Sequence, residues 1–230
     1  MEQRCIHCGS PMKSLFIQYS PGNIRLMKCD SCKAIADEYI ECEIMILLID
    51  LILHKHKAYR HLLYNTMYSD MADVQGLLWK SSVVYLLLDA CNSRVLLLKT
   101  NIEEGGFLGS SFSSMWPCWK VLLDVFVVNL IALMVLLFLT RTFLSSSEII
   151  MYKDLLLAVI ISSYWKTFVI AMMVWKFPPS VIFILDMLVL SSNAVALKVM
   201  TRSTMTRSIL VCFSAHVVKF LVGPLLEILL

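Results

Sequence analysis

Four cysteines stand in two tight pairs, Cys5-Ile6-His7-Cys8 and Cys29-Asp30-Ser31-Cys32, with twenty residues between them. A CxxC turn can offer two thiolates to one ion, and two such turns at this separation make a tetrahedral four-thiolate set. Zinc suits that set, with Zn–S bonds of about 2.3 Å. A redox dithiol would instead want a βαβ context, which this stretch lacks. One structural zinc held by Cys5, Cys8, Cys29 and Cys32 is therefore expected. His7 inside the first knuckle is expected to face solvent, and Cys42 to be a small apolar residue rather than a fifth ligand. The elements between the pairs must bring them together. Leu15 to Tyr19 reads as a strand, Ser20-Pro21-Gly22-Asn23 as a turn, and Ile24 to Lys28 as a returning strand that alternates apolar and basic residues. This is a zinc-ribbon pattern, predicted over residues 1–40. So few residues bury little core, so metal must supply much of the folding energy.

Residues 41–65 read as one amphipathic helix. An apolar run, interrupted by Asp50, passes into His54, Lys55, His56, Lys57, Arg60 and His61, interleaved with Tyr59, Leu62, Leu63 and Tyr64. The run is too short to cross a bilayer, which needs about 20 residues. Two placements remain open. The helix can lie at the membrane interface, with Lys55, Lys57 and Arg60 reaching anionic headgroups, or it can pack on the ribbon. His54 and His56 point to different helix faces, which disfavours a second metal site.

Beyond residue 66 the chain turns oily. Of 230 residues, 59% are apolar and 16% charged, and mean hydropathy is +0.76. Soluble chains run nearer about 45–50% apolar and about 25% charged. Spans are expected at 121–139, 155–175, 180–200 and 209–230. A fifth, at 77–98, is interrupted by Asp89, Asn92 and Arg94, and a charge at a helix centre costs roughly 2.5–3.5 kcal/mol. The predicted class is thus membrane all-α: a ribbon hairpin and amphipathic helix (1–66), then four to five transmembrane helices (67–230). The first residues lack a signal-peptide core, and Lys and Arg placement favours a cytosolic N-terminus.

Ionisable groups inside spans are candidate functional residues. Ser163 and Lys166 share a helix face, Asp186 and Asn193 share another, and Pro178-Pro179 is expected to set the two helices antiparallel. A buried Lys166–Asp186 pair, helped by Ser163 and Asn193, can clamp two helices or receive a lipid headgroup or sterol hydroxyl. No Gly-rich phosphate loop, HExxH, GxSxG or Cys/His protease motif is present, so no enzyme is expected. The net charge of +3 gives no case for nucleic acid.

The two CxxC pairs, Ala36-Asp37-Glu38-Tyr39-Ile40-Glu41 and Lys57-Ala58-Tyr59-Arg60-His61-Leu62-Leu63-Tyr64-Asn65 occur in an order that resembles the Arv family of endoplasmic-reticulum lipid-homeostasis proteins. Ser162-Ser163-Tyr164-Trp165-Lys166 and Leu190-Ser191-Ser192-Asn193 are similar to the family's later spans. The resemblance implies a multi-pass protein of the endoplasmic reticulum membrane. It implies a role in sterol distribution, with links to sphingolipid balance and to glycosylphosphatidylinositol precursors. It also implies zinc on the same four cysteines. Membrane lipids of these classes, or lipid-biosynthetic membrane proteins, are the expected partners. Lipid transport is the leading reading, and a scaffold that recruits partners through its ribbon is the alternative.

Overall fold

The computed structural model describes residues 3–20, 22–66, 74–103, 115–144, 152–168, 178 and 180–229. The chain divides into two compact units, Met1–Leu77 and Leu78–Leu230.

In the first unit, β1 (Phe16–Ser20) and β2 (Asn23–Leu26) form an antiparallel hairpin, pairing Phe16 with Leu26, Ile17 with Arg25 and Gln18 with Ile24. The knuckles at either side repeat one geometry. Cys5 N–H donates to Ser10 O and Gly9 N–H to Cys5 O. Likewise Cys29 N–H donates to Ala34 O and Lys33 N–H to Cys29 O. Each turn closes through a left-handed residue, Gly9 (φ 79°) and Lys33 (φ 61°). Gly9 accepts that backbone without strain because it has no Cβ.

The single helix expected over 41–65 is instead three pieces. α1 spans Ile44–Ile52 and α2 His56–Arg60, followed by a π-helical turn, His61–Thr66. The break falls at His54, whose φ of 56° is left-handed and ends α1. The turn buries the apolar and polar side chains of α2 and the π segment against the ribbon: Tyr59 and Ala58 are fully buried, and His61, Leu63, Tyr64 and Asn65 are buried beside them. Of the two placements open from sequence, α2 and the π turn take the second.

The second unit is helical: α3 (Val74–Glu103), α4 (Met115–Phe143), α5 (Tyr152–Ser162), α6 (Ser180–Thr201) and α7 (Met205–Leu229). Among the described residues, three helices are long and apolar enough to cross a membrane, over Leu122–Phe143, Ser180–Thr201 and Met205–Gly223. These match three of the expected spans. In 155–175 the α-helix gives way to a tighter 3-10 segment, Ser163–Thr167, and residues 169–175 lie outside the described set, as does Pro179 of the expected turn. α3 covers 77–98 but is not among the three. The chain is therefore a membrane protein with a ribbon-bearing N-terminal unit.

α7 packs on α4 and α6, and α6 on α5. Their core joins Leu136, Leu155, Ala194, Leu197, Val211, Cys212 and Ala215. α6 contributes Ser192, Ala194 and Ala196, all 0% exposed. Small residues let helix backbones approach closely where no hydrophobic effect drives them together. Outward, Phe138, Leu210 and Phe220 are exposed, as lipid-facing side chains should be.

Candidate metal centre and intramembrane site

The two knuckles face each other across the ribbon. Cys5 Sγ lies 3.7 Å from Cys32 Sγ, and Cys8 Sγ 3.6 Å from Cys29 Sγ. All four Sγ atoms lie within 4.8 Å of one another. Four sulfurs arranged tetrahedrally at about 2.3 Å from a zinc would stand about 3.8 Å apart. Four cysteines so placed could hold one metal ion, and their spacing fits zinc. Burial is the strongest influence on the Cys5 thiol and pushes it up to about 12. Burial also raises Cys8, but hydrogen bonds from the Ser10 side chain and backbone and from neighbouring thiols outweigh it, and bring it to about 6. A bound cation would supply the positive charge that buried thiolates need. His7 stands outside the group, with Nε2 4.0 Å from Glu38, and Cys42 donates to Glu38 O.

The residues around this centre explain motifs that hold no metal. Asp37 is 0% exposed. Its carboxylate meets His61 Nδ1 at 2.7 Å, accepts from Asn65 Nδ2 at 2.6 Å and accepts the Tyr39 N–H at 3.0 Å. Asn65 in turn accepts the Arg4 N–H and donates to the Arg4 carbonyl. His61 and Asn65, four apart on one helical face, therefore tie the π turn to both the Asp37 loop and the first knuckle. Tyr39 OH donates to Asp50 of α1 at 2.7 Å. Burial, then that hydrogen bond, pushes the Tyr39 phenol up. Hydrogen bonds from Lys55 and Tyr39 hold Asp50 below the usual carboxylate range. Asp37→Ala should orphan the His61 Nδ1 and the Tyr39 N–H, at roughly 1–3 kcal/mol each, and leave Asn65 Nδ2 with the Arg4 carbonyl alone of its two acceptors. Faster protease cleavage within residues 3–66, with the transmembrane part unaffected, would register it.

Lys55, Lys57 and Arg60, predicted to meet headgroups, are engaged within the unit. Lys55 pairs with Asp50 at 2.7 Å and Lys57 with Glu38 at 3.3 Å. Arg60 Nη1 donates to the carbonyls of Ile6 and His7, at 2.9 and 2.6 Å. Arg60 thus caps the first cysteine knuckle. Its planar donor set suits two converging carbonyls, while the Lys55 and Lys57 side chains stay about half exposed.

In the second unit the expected quartet separates. Ser162 Oγ and Ser163 Oγ both donate to Asn193 Oδ1, and Ser192 Oγ donates to Ser162 O. Lys166, however, meets Asp89 and not Asp186. Its Nζ lies 2.5 Å from Asp89 Oδ1, while Lys219 Nζ lies 2.7 Å from Asp89 Oδ2. Asn129 Nδ2 donates to the same Oδ2 at 2.6 Å, and Tyr85 OH donates to Asn129 Oδ1. Lys166 Nζ also stands 4.0 Å from the centre of the Tyr85 ring. Asp186, half-buried on α6, has no hydrogen bond or ion pair with Lys166 among the described contacts. Residue spacing does not announce either partner: Asp89 weighs against a span at 77–98, and Lys219 lies 130 residues from Asp89.

Beside this cluster opens an apolar cavity of about 210 Å³ between α3, α4, α5, α6 and α7. Leu86, Phe126, Leu133 and Ile160 supply apolar wall. Tyr85, Asn129, Asn193, His216 and Lys219 supply its polar groups.

No solved structure matches the chain. Protein ARV 1 of Arabidopsis thaliana is 52% identical over 98% of this chain and 89% of its own length. The arv1 homolog of Dictyostelium discoideum is 34% identical over 89% and 87%, and Protein ARV1 of Bos taurus 28% over 86% and 69%. The Arv1-like family model matches residues 4–197, which take in the four cysteines and the intramembrane cluster except Lys219. The chain belongs to the Arv1-like family.

Proposed function

We propose that the protein serves sterol and lipid homeostasis in the endoplasmic reticulum membrane by binding a lipid between its helices. The metal of the cytosolic N-terminal unit is one structural zinc, and no step is catalytic. The observation that carries this reading is the cavity of the second unit, apolar in most of its lining and polar at one set of side chains. That is the chemistry of a ligand with a hydrocarbon body and a small polar end. At about 210 Å³ it is smaller than the roughly 300–1,000 Å³ of a drug-sized site. It takes one chain or ring portion of a lipid, and the rest stays in the bilayer. Lysines, asparagines and serines inside the bundle are costly there, and such groups mark ligand paths more often than lipid-exposed faces.

The test is photolabelling of the full chain in nanodiscs with a photoactivatable sterol and, separately, a photoactivatable phospholipid. Ala132→Phe, which fills the cavity from α4, should reduce labelling by the preferred probe several-fold while thermal stability is retained. Equal labelling of wild type and Ala132→Phe by both probes would end the cavity reading. The scaffold alternative has one observation in its favour. β1 is exposed along its whole length, with Ile17 and Tyr19 outward, an edge on which a partner could dock. Loss of lipid homeostasis in cells from Tyr19→Ser, with photolabelling intact, would favour it.

A further inference from the structure

α1 is apolar on nearly every side that the ribbon does not cover. Ile44 is 75% exposed, Met45 62% and Leu53 61%, and Ile46, Leu48, Ile49 and Ile52 are exposed between them. At about 100° per residue, these seven side chains sweep an arc of about 200°. The complementary side carries Asp50, tied to Tyr39 and Lys55, and Leu51, which is buried. A helix that packs on a protein surface needs an apolar stripe of about 100°, and α1 presents about twice that.

We propose that α1 is a membrane-interface anchor, inserting this arc among the acyl chains of the bilayer that the same polypeptide crosses. Three observations select lipid over a protein partner. An arc this wide matches a surround that is apolar from all sides, whereas one protein face would cover only part of it. The helix has nine residues, too short to span but long enough to lie in the interface plane. The unit is also covalently joined to helices that span the membrane, so a bilayer is always within reach and the anchor loses little entropy in finding it. Burial of hydrocarbon drives the insertion of this arc, and that is insensitive to salt. The inference does not depend on the lipid-binding cavity.

The experiment places a benzophenone amino acid at Met45, at Leu53 or, as a control, at the hairpin residue Tyr19, which is 64% exposed. Full-length protein is irradiated in phosphatidylcholine nanodiscs, and adducts are identified by mass. Retained metal shows that each substituted chain is folded. The expected result is phospholipid adducts at 45 and 53, several-fold above those at 19, with yields unchanged when salt is raised. Ile49→Glu should lower the adducts at 53 while metal content is kept. Cross-links from 45 and 53 to polypeptide alone would overturn the proposal, whether to another part of this chain or to a second copy. So would an absence of adducts, or equal lipid labelling at 19.

Discussion

Cys29→Ser should yield a chain that is purified without its metal and whose first unit is unfolded. Cys29 is 1% exposed, and it supplies one side of the Cys8–Cys29 contact. With Cys5 it is one of the two ligands buried in the ribbon. Replacing thiolate by hydroxyl leaves three sulfurs and a poor fourth ligand. The loss is large because the ribbon has little else. Its strands are five and four residues long, and every residue of β1 is exposed. Metal binding in small zinc modules supplies on the order of 10–16 kcal/mol, more than a core of this size could. Elemental analysis of detergent-purified protein should find about one zinc per wild-type chain and none in the variant. Protease should then cut freely within residues 3–66 of the variant. Cys42→Ser is the matched control and should keep the metal, since Cys42 Sγ bonds the Glu38 carbonyl and, among the described residues, stands outside the four-sulfur group. A Cys29→Ser chain that keeps its metal and resists protease would refute the structural role.

The second large effect belongs to Asp89→Ala. One carboxylate, 7% exposed, stands between two ammonium groups of which Lys166 is 6% exposed and Lys219 25%. Removing it leaves Lys166 as an unpaired buried charge and strips Asn129 of an acceptor. Breaking a buried pair from one side costs about 3–5 kcal/mol. For a unit of this size that lowers the unfolding midpoint by on the order of 10 °C. Lys219→Ala should cost less, because Lys166 still neutralises the carboxylate. Replacing Asp89, Lys166 and Lys219 together by leucine should recover much of the stability lost in Asp89→Ala, since apolar residues of similar volume often substitute for a buried ion network. Thermal unfolding in one detergent would rank the four proteins. Equal midpoints for wild type and Asp89→Ala would show that the cluster bears no structural load.

These two sites differ in how far the primary structure announces them. The metal centre was legible because its ligands come in local pairs. A CxxC turn positions two sulfurs through backbone that the four residues make themselves, and the hairpin that joins the pairs follows from alternation and turn residues. Three spans were legible for a similarly local reason: some twenty apolar residues have few other places to go. The helix break at His54 was not, because a left-handed histidine leaves no compositional mark. Nor was the use of Asp37, His61 and Asn65. His61 and Asn65 lie 24 and 28 residues from Asp37, and only the docked ribbon brings them together.

Two facing cysteine pairs, a short ribbon and a set of oily helices follow from the residues alone, because each rests on contacts between near neighbours in the chain. Which carboxylate neutralises Lys166, what Arg60 holds, and which side of α1 stays bare were decided by the tertiary structure alone. Asp89 lies 77 residues from Lys166 and 130 from Lys219. At such separations spacing carries no register, and the packing angles of several helices choose the partner. In a low-dielectric interior that choice is strongly enforced, because an unpaired charge there is far costlier than one in water.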